Sequence, residues 1–300
     1  MSSPRTNVAA SVRARLLNVA RDQQVDFNQI LVRFALERIL YRLANSPYGE
    51  RFLLKGALLF TLWYDMPHRA TRDIDLLGFG ASDVTSIALL FREVAAQAVE
   101  DGISFDPASV VVKEIRKEAG YGGVRVFIAG DLAGARCKVQ IDVGFGDAVT
   151  PAPQTCIYPV LLADLPAPNL RAYPTYTVIA EKFHAIALLG MTNSRLKDYF
   201  DLSVLFEREA LDMRLLTEAI SATFERRGLA VPTVVPAGLT SEFGQDASRQ
   251  SLWLAFLRKN SLPIEPLSDV VDRLQVALMP ALVAANPLRA RNAPGEDPSP

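Results

Sequence analysis

The stretch HRATRDIDLLGFG, residues 68–80, sets two aspartates one residue apart at the head of an apolar run, directly behind three basic side chains. Side chains alternate along a β-strand, so Asp73 and Asp75 would share one face while Ile74 points to the other. Two carboxylates held together repel and require a counter-ion. A divalent metal would supply one. The plainer alternative is a charged strand edge or turn.

The segments on either side favour the metal. Upstream, RFLLKGALLFTLWY (residues 51–64) reads as a short apolar strand, a turn at Lys55 and Gly56, and a helix from about Ala57. Glycine at such a junction lets backbone N–H groups at a helix start come close to a phosphate. Downstream, in ARCKVQIDVGFG (residues 135–146), Cys137, Val139, Ile141 and Val143 alternate with Lys138, Gln140 and Asp142. Asp142 therefore falls on the polar face of a neighbouring strand. Three carboxylates on one face suit Mg²⁺, which takes oxygen ligands and is completed by substrate phosphates. Asp147, in the following loop, is a weaker candidate.

Residues 27–44, FNQILVRFALERILYRLA, have the spacing of an amphipathic helix, with Arg33, Glu37, Arg38 and Arg42 off the apolar stripe. Residues 83–100 read as another helix, and SVVVKEIRKE, GGVRVFIAG and ARCKVQIDVGFG as three successive strands. The first half, residues 1–150, is thus mixed α/β. Six prolines within residues 151–174 indicate an extended linker and a domain boundary. Beyond it, residues 177–190, 195–209, 215–228 and 249–260 favour helix, with one more over 265–284 interrupted near Pro280, giving a helical domain over 175–285. The tail, 286–300, is too polar and proline-rich to pack.

With 300 residues, 50% hydrophobic and 22% charged, the chain has the composition of a globular protein. It shows no apolar signal segment and no membrane-spanning run, so a cytoplasmic location without membrane contact is expected. Cys137 and Cys156 are too few for a disulfide framework and are expected as small core residues. A net charge of -1 announces no polyanion partner, so any such site must be a local patch. Arg33, Arg38, Arg42, Arg51 and Lys55 could form one, or could be an ordinary solvated helix face.

The order of these elements resembles the DNA polymerase β-like nucleotidyltransferase superfamily. The blocks FALERILYRLANSPYGERFLLKGALLF, RATRDIDLL, IDVGFGD, TVIAEKFHAI and RLKDYFDL resemble the AbiEii (MenT) family of bacterial nucleotidyltransferase toxins over roughly residues 10–210. The resemblance implies an α/β (α+β) fold with a mixed sheet in the nucleotidyltransferase domain and a helical C-terminal domain. It puts metal ligands at Asp73 and Asp75, and the strand alternation offers Asp142 to complete the set. Catalytic roles fall to Asp73, Asp75, Lys182 and Asp198. Nucleotide and phosphate contacts fall to Lys55, Gly56, Ala57, Arg72, Asp142, Arg195 and Lys197. Ala57 departs from the Ser, Thr or Gly common at that position and offers no hydroxyl. Read without the family, Lys182 is a plain helix lysine, Asp198 and Asp201 share a helix face as cap or solvated residues, His184 is a packed helix residue and His68 a loop residue.

The implied activity is transfer of NMP from an NTP to the 3′ end of tRNA, blocking aminoacylation, with Mg²⁺ (or Mn²⁺), a cognate antitoxin as partner, and a monomeric chain. Two rivals stand beside it. One is the same chemistry on a protein or small-molecule acceptor; the other is a catalytically dead nucleotide-binding module, which Ala57 faintly favours.

Overall fold

A computed structural model describes residues 7–64, 71–116 and 122–285. His68 and the tail from residue 286 lie outside the described residues. The chain divides into two compact units. The first comprises residues up to Gly146 together with Gln154–Tyr173; the second takes Asp147–Pro153 and everything from Pro174.

The first unit begins with two helices, α1 (Val8–Asp22) and α2 (Phe27–Ala44). Asn7 and Asp26 cap them, each accepting a hydrogen bond from a first-turn N–H. There follow β1 (Phe52–Lys55), the short α3 (Leu58–Trp63), β2 (Asp73–Gly78) and α4 (Val84–Ala96), the last capped by Asp83. Three long strands come next: β3 (Ser104–Arg116), β4 (Gly122–Leu132) and β5 (Ala135–Phe145). The β4–β5 hairpin turns at Ala133 and Gly134, both at positive φ, as a two-residue turn matched to strand twist requires.

The proline-rich stretch is not the linker its composition suggests. It carries β6 (Gln154–Ile157) and β7 (Asn169–Ala172), which complete a seven-stranded mixed sheet of order β3-β4-β5-β2-β1-β7-β6 among the described residues. Proline forbids helix but is tolerated beside short strands near a sheet edge, and β6 is an edge strand. One sheet face carries Phe52, Leu54, Leu76, Ile141 and Val143, all buried. Leu40 and Leu43 of α2 line a space with Phe52, Leu54 and Leu76, and Phe91 of α4 packs on Phe52 with ring centroids 5.9 Å apart.

Arg38 and Arg42, expected as exposed helix residues or a polyanion patch, are instead fully inside. Their exposures are 0% and 2%, and both bind Asp101, itself 0% exposed. Arg42 grips it with two bonds of 2.7 and 3.1 Å, and Arg38 Nε adds a third at 3.0 Å. Glu37 bonds Arg38 Nη1 at 3.1 Å and accepts the Leu161 N–H at 2.8 Å. Burial pushes the Glu37 carboxyl above its ordinary range. The network ties α2 to the loop before β3 and to the 158–168 segment, since Arg38 also bonds the Pro166 carbonyl.

The second unit is helical: α5 (Thr175–Leu189), α6 (Leu196–Arg208), α7 (Met213–Arg226), α8 (Ser241–Gln245), α9 (Ala247–Lys259) and α10 (Leu267–Ala284). Helix α10 runs unbroken through Pro280, contrary to the expected interruption. Pro280 and Val276, whose carbonyl loses its partner, both face solvent, while Leu278, Ala281 and Leu282 stay buried and hold the helix in place. The two cysteines are half-exposed rather than core residues, and burial still pushes the Cys137 thiol up to about 11.

Candidate active site

Strand β2 presents Asp73 and Asp75 on the face opposite Ile74 and Leu76, both carboxylates half-buried, as the alternation predicts. Thr71 Oγ1 donates to Asp73 Oδ1 at 3.0 Å and orients that carboxylate. Arg72, between them in sequence, is exposed.

The β1 turn packs directly on Asp75. Gly56 has φ +73°, a left-handed value that penalises any Cβ, and a Cβ there would come within 2.8 Å of both Cβ and Cγ of Asp75. Ala57 caps the six-residue α3 with no side-chain hydrogen bond. The expected glycine turn is thus present, and its contact is with the second aspartate of the pair.

Sheet register builds the remainder. Lys55 lies opposite Asp75 across the antiparallel β1–β2 pair, Asp75 opposite Asp142 across the parallel β2–β5 pair, and Asp142 opposite Arg125 across β4–β5. Directly opposed residues share a face, so four strands carry a row of charges in the order plus, minus, minus, plus. Lys55 is 6% exposed and stacks on Tyr173, its Nζ 4.9 Å from the ring centroid and 3.3 Å from the hydroxyl.

Arg125 carries no motif and escaped the sequence reading. Its Nε and Nη2 donate to Asp142 Oδ1 and Oδ2 at 2.8 and 2.7 Å, a bidentate pair. The Asp142 hydrogen bonds, with help from the Asp73 and Asp75 charges, hold the guanidinium pKa above its ordinary value. The alternation in GGVRVFIAG could have placed Arg125 on the polar face, but the partner strand's register is needed to set it opposite Asp142.

Asp142 shares the face with Asp73 and Asp75, as the alternation predicts, and is paired there with Arg125. Each of its oxygens accepts a hydrogen bond from Arg125, and among the described residues no three His, Cys, Asp or Glu side chains gather as a ligand set. The donor chemistry that fits a divalent ion is the Asp73–Asp75 pair. Mg²⁺ is commonly held by one or two carboxylates, with water and substrate phosphates completing its octahedron.

In the second unit, Lys182 of α5 reaches two carboxylates of α6, with Nζ 2.8 Å from Asp198 Oδ1 and 2.7 Å from Asp201 Oδ2. Both aspartates are fully buried. Arg195, whose side chain is 45% exposed, donates from Nε to Asp198 Oδ2 at 2.7 Å, so two cations balance two anions. Burial pushes the Asp198 carboxyl up, but Lys182 and Arg195 outweigh it and hold the group below its ordinary value. Lys197, next to this cluster in sequence, is exposed.

Asp147, the weaker candidate, binds Arg227 at 2.9 Å within the second unit, and Arg227 also pairs with Glu181 at 3.1 Å. His184 is a packed residue, edge-on to Phe224 with its Nε2 buried and unbonded, and burial together with the Arg227 charge lowers its pKa to about 4. Among the described residues no helix is long and apolar enough to cross a membrane.

A family model described as "Nucleotidyl transferase AbiEii toxin, Type IV TA system" matches residues 38–276. Among solved structures, the chain is similar to JHP933 from Helicobacter pylori, at 16% identity over 85% of this chain and 91% of that one, with a TM-score of 0.46. It is similar also to a candidate nucleotidyltransferase from H. pylori, at 16% identity over 83% and 92%, with a TM-score of 0.45. No protein of curated function matches the chain.

Proposed function

The chain belongs to the AbiEii family of nucleotidyl transferase toxins of type IV toxin–antitoxin systems, and from that premise we propose that its acceptor is the 3′-terminal hydroxyl of tRNA. The acceptor oxygen attacks the α-phosphorus of an NTP, the bond to the β-phosphate breaks, and pyrophosphate leaves. A tRNA so extended cannot be aminoacylated. A cognate antitoxin is the partner that the family implies.

The observation that carries the nucleotidyl-transfer reading is the Asp73–Asp75 pair on one strand face, with Gly56 packed against Asp75 where no larger residue fits. Asp73 and Asp75 would hold the divalent ion, with Thr71 orienting Asp73. When bound, such an ion stabilises charge on the attacking and leaving oxygens. The Gly56–Ala57 turn brings backbone close to the triphosphate, and Lys55 contributes positive charge beside Asp75. The family resemblance assigns Lys182 to phosphate, and within the second unit its ammonium is held by Asp198 and Asp201. With Arg38 and Arg42 buried, the cations that we assign to the RNA backbone are the exposed Arg72, Arg195 and Lys197.

The test is incubation of the purified protein with each α-labelled NTP, Mg²⁺ and total RNA, alongside RNA whose 3′ ends have been oxidised with periodate. Label entering tRNA only when its 3′ end is intact supports the proposal. Equal labelling of oxidised tRNA, or label found only in protein or a small molecule, overturns the acceptor while leaving nucleotidyl transfer in place.

A further inference from the structure

Of the four charges aligned across β4, β5, β2 and β1, Arg125 is the one whose part in the reaction is not accounted for. Its partner Asp142 carries three donated hydrogen bonds. Oδ1 accepts from Arg125 Nε at 2.8 Å and from Gln140 Nε2 at 3.3 Å, and Oδ2 accepts from Arg125 Nη2 at 2.7 Å. An ionised carboxylate has about four acceptor sites, so Oδ1 is filled and Oδ2 is half-filled. Any metal ion using the remaining lone pair would lie beside a guanidinium and be repelled by it.

The guanidinium is delivered by rigid sheet. The β4–β5 register is unbroken from Gly123 to Leu132, and Arg125 sits within it directly opposite Asp142. Gln140 approaches Asp142 along the same strand and lies opposite Asp73 in the β2–β5 register, so the donors fence Asp142 from two sides. The planar two-bond grip is a geometry that lysine cannot reproduce.

We propose that Arg125 is a positioning residue that keeps Asp142 out of the metal's ligand set, so that Asp73 and Asp75 alone supply the protein's carboxylates. The proposal rests on the reading of Asp73 and Asp75 as the metal pair. Its chemical consequence concerns when the metal arrives. A two-carboxylate site holds a bare divalent ion weakly and leaves most coordination positions to water and phosphate oxygens, so the ion enters with the triphosphate instead of residing in the protein. Releasing Asp142 would add a third anionic ligand and convert the site into a resident metal site.

The probe is Mn²⁺ alone, titrated calorimetrically without nucleotide into the full chain and into Arg125→Met, Arg125→Lys, and Arg125→Met combined with Asp142→Asn. Arg125→Met is expected to bind Mn²⁺ at least about tenfold tighter than the unmodified protein, as an added anionic ligand and a lost cation both dictate. Arg125→Lys should fall between the two, and Asp142→Asn should erase the gain. Should Arg125→Met fail to fold, Arg125→Lys decides by the same criterion of tighter binding. Mn²⁺ affinity unchanged or weakened in the folded Arg125 variants overturns the proposal. Asp73→Asn separates it from the reading beneath: if that change leaves Mn²⁺ binding intact, the metal pair is misassigned, whereas loss of binding there with an unmoved Arg125→Met sinks the Arg125 role alone. Absence of Mn²⁺ binding in every variant overturns the Arg125 role, and nucleotide transfer by Asp73→Asn then decides the metal pair.

Discussion

Gly56 and Asp75 occupy each other's space: the turn passes so close to the strand that a Cβ on residue 56 would lie 2.8 Å from Asp75 Cβ. The atom it would strike is fixed to the strand backbone, so it cannot swing away, and the φ of +73° adds its own penalty. Gly56→Ala is therefore expected to destabilise the first unit by about 2 kcal/mol and to displace Asp75, lowering transfer by roughly 10²-fold. Urea denaturation and a nucleotide-transfer assay read the two effects separately. Wild-type activity in Gly56→Ala would show that the close approach has no chemical purpose.

Asp73→Asn should separate chemistry from stability in the opposite sense. The asparagine keeps an oxygen for Thr71 Oγ1, so the local hydrogen bond survives while the charge that attracts a cation is lost. Transfer should vanish with no measurable fall in denaturation midpoint, and EDTA should abolish wild-type activity in the same way. Full activity of either the variant or the chelated enzyme would refute a metal-dependent role for this carboxylate.

The Arg38–Arg42–Asp101 network gives a prediction about stability alone. Removing one member leaves the others charged and desolvated, a loss of about 3–5 kcal/mol for a buried pair. Asp101→Ala should accordingly unfold at much lower urea, and Arg42→Glu should not fold at all. A soluble, fully folded Arg42→Glu protein would contradict the burial described here.

Lys182→Met should lower transfer by about 10²-fold if its ammonium faces a transferring phosphate. It should also take a cation away from the buried carboxylates of Asp198 and Asp201, destabilising the second unit at neutral pH. That second effect has a pH signature, because acid can neutralise the stranded carboxylates: the gap between variant and wild type should narrow as pH falls. Asp201→Asn placed in the same background should recover part of the stability and none of the activity. A pH-independent gap would argue against the ion cluster as its cause.

His184 sets a different pH window. Its folded pKa of about 4 lies below the ordinary 6.5, so the unfolded chain binds the extra proton first. The stability that this confers is complete above pH 6.5 and is lost as pH falls from there to about 4, amounting to at most about 3 kcal/mol. Asp198 acts lower: its depressed pKa contributes stability above 3.8 that disappears only with further acidification. His184→Leu should flatten the stability profile between pH 6.5 and 4 and leave the lower limb unchanged. An unaltered upper limb would assign that slope to other groups.

Local pattern was enough to read some of these features and not others, and the division is physical. Alternation in RDIDLL and KVQID places Asp73, Asp75 and Asp142 on one face because the period of a strand is fixed by its backbone. The same reasoning fails for Arg38 and Arg42, since the anion that draws them inside, Asp101, is about 60 residues away and invisible to helical periodicity. Arg125 was missed for a related reason: its meaning comes from strand register. The stretch 151–174 was misjudged because proline density reports what a segment cannot be, and β7 takes its identity from pairing with β1, more than a hundred residues earlier.

The path of the chain between the two units constrains how the protein can be made. Residues 147–153 belong to the second unit, where Asp147 meets Arg227 and Thr150 exchanges hydrogen bonds with Thr177, yet β6 and β7 then return to the first. Strand β1 takes β2 as one neighbour and β7 as the other. On the ribosome, a nascent chain that has emerged only as far as Gly146 therefore presents β1 as a bare edge, open to pairing with any other chain. The first unit becomes a closed folding entity only once Tyr173 has emerged. A single cut in the gene cannot yield both halves intact, and translational pausing between codons 147 and 173 would extend the period during which the nascent protein is most exposed to aggregation.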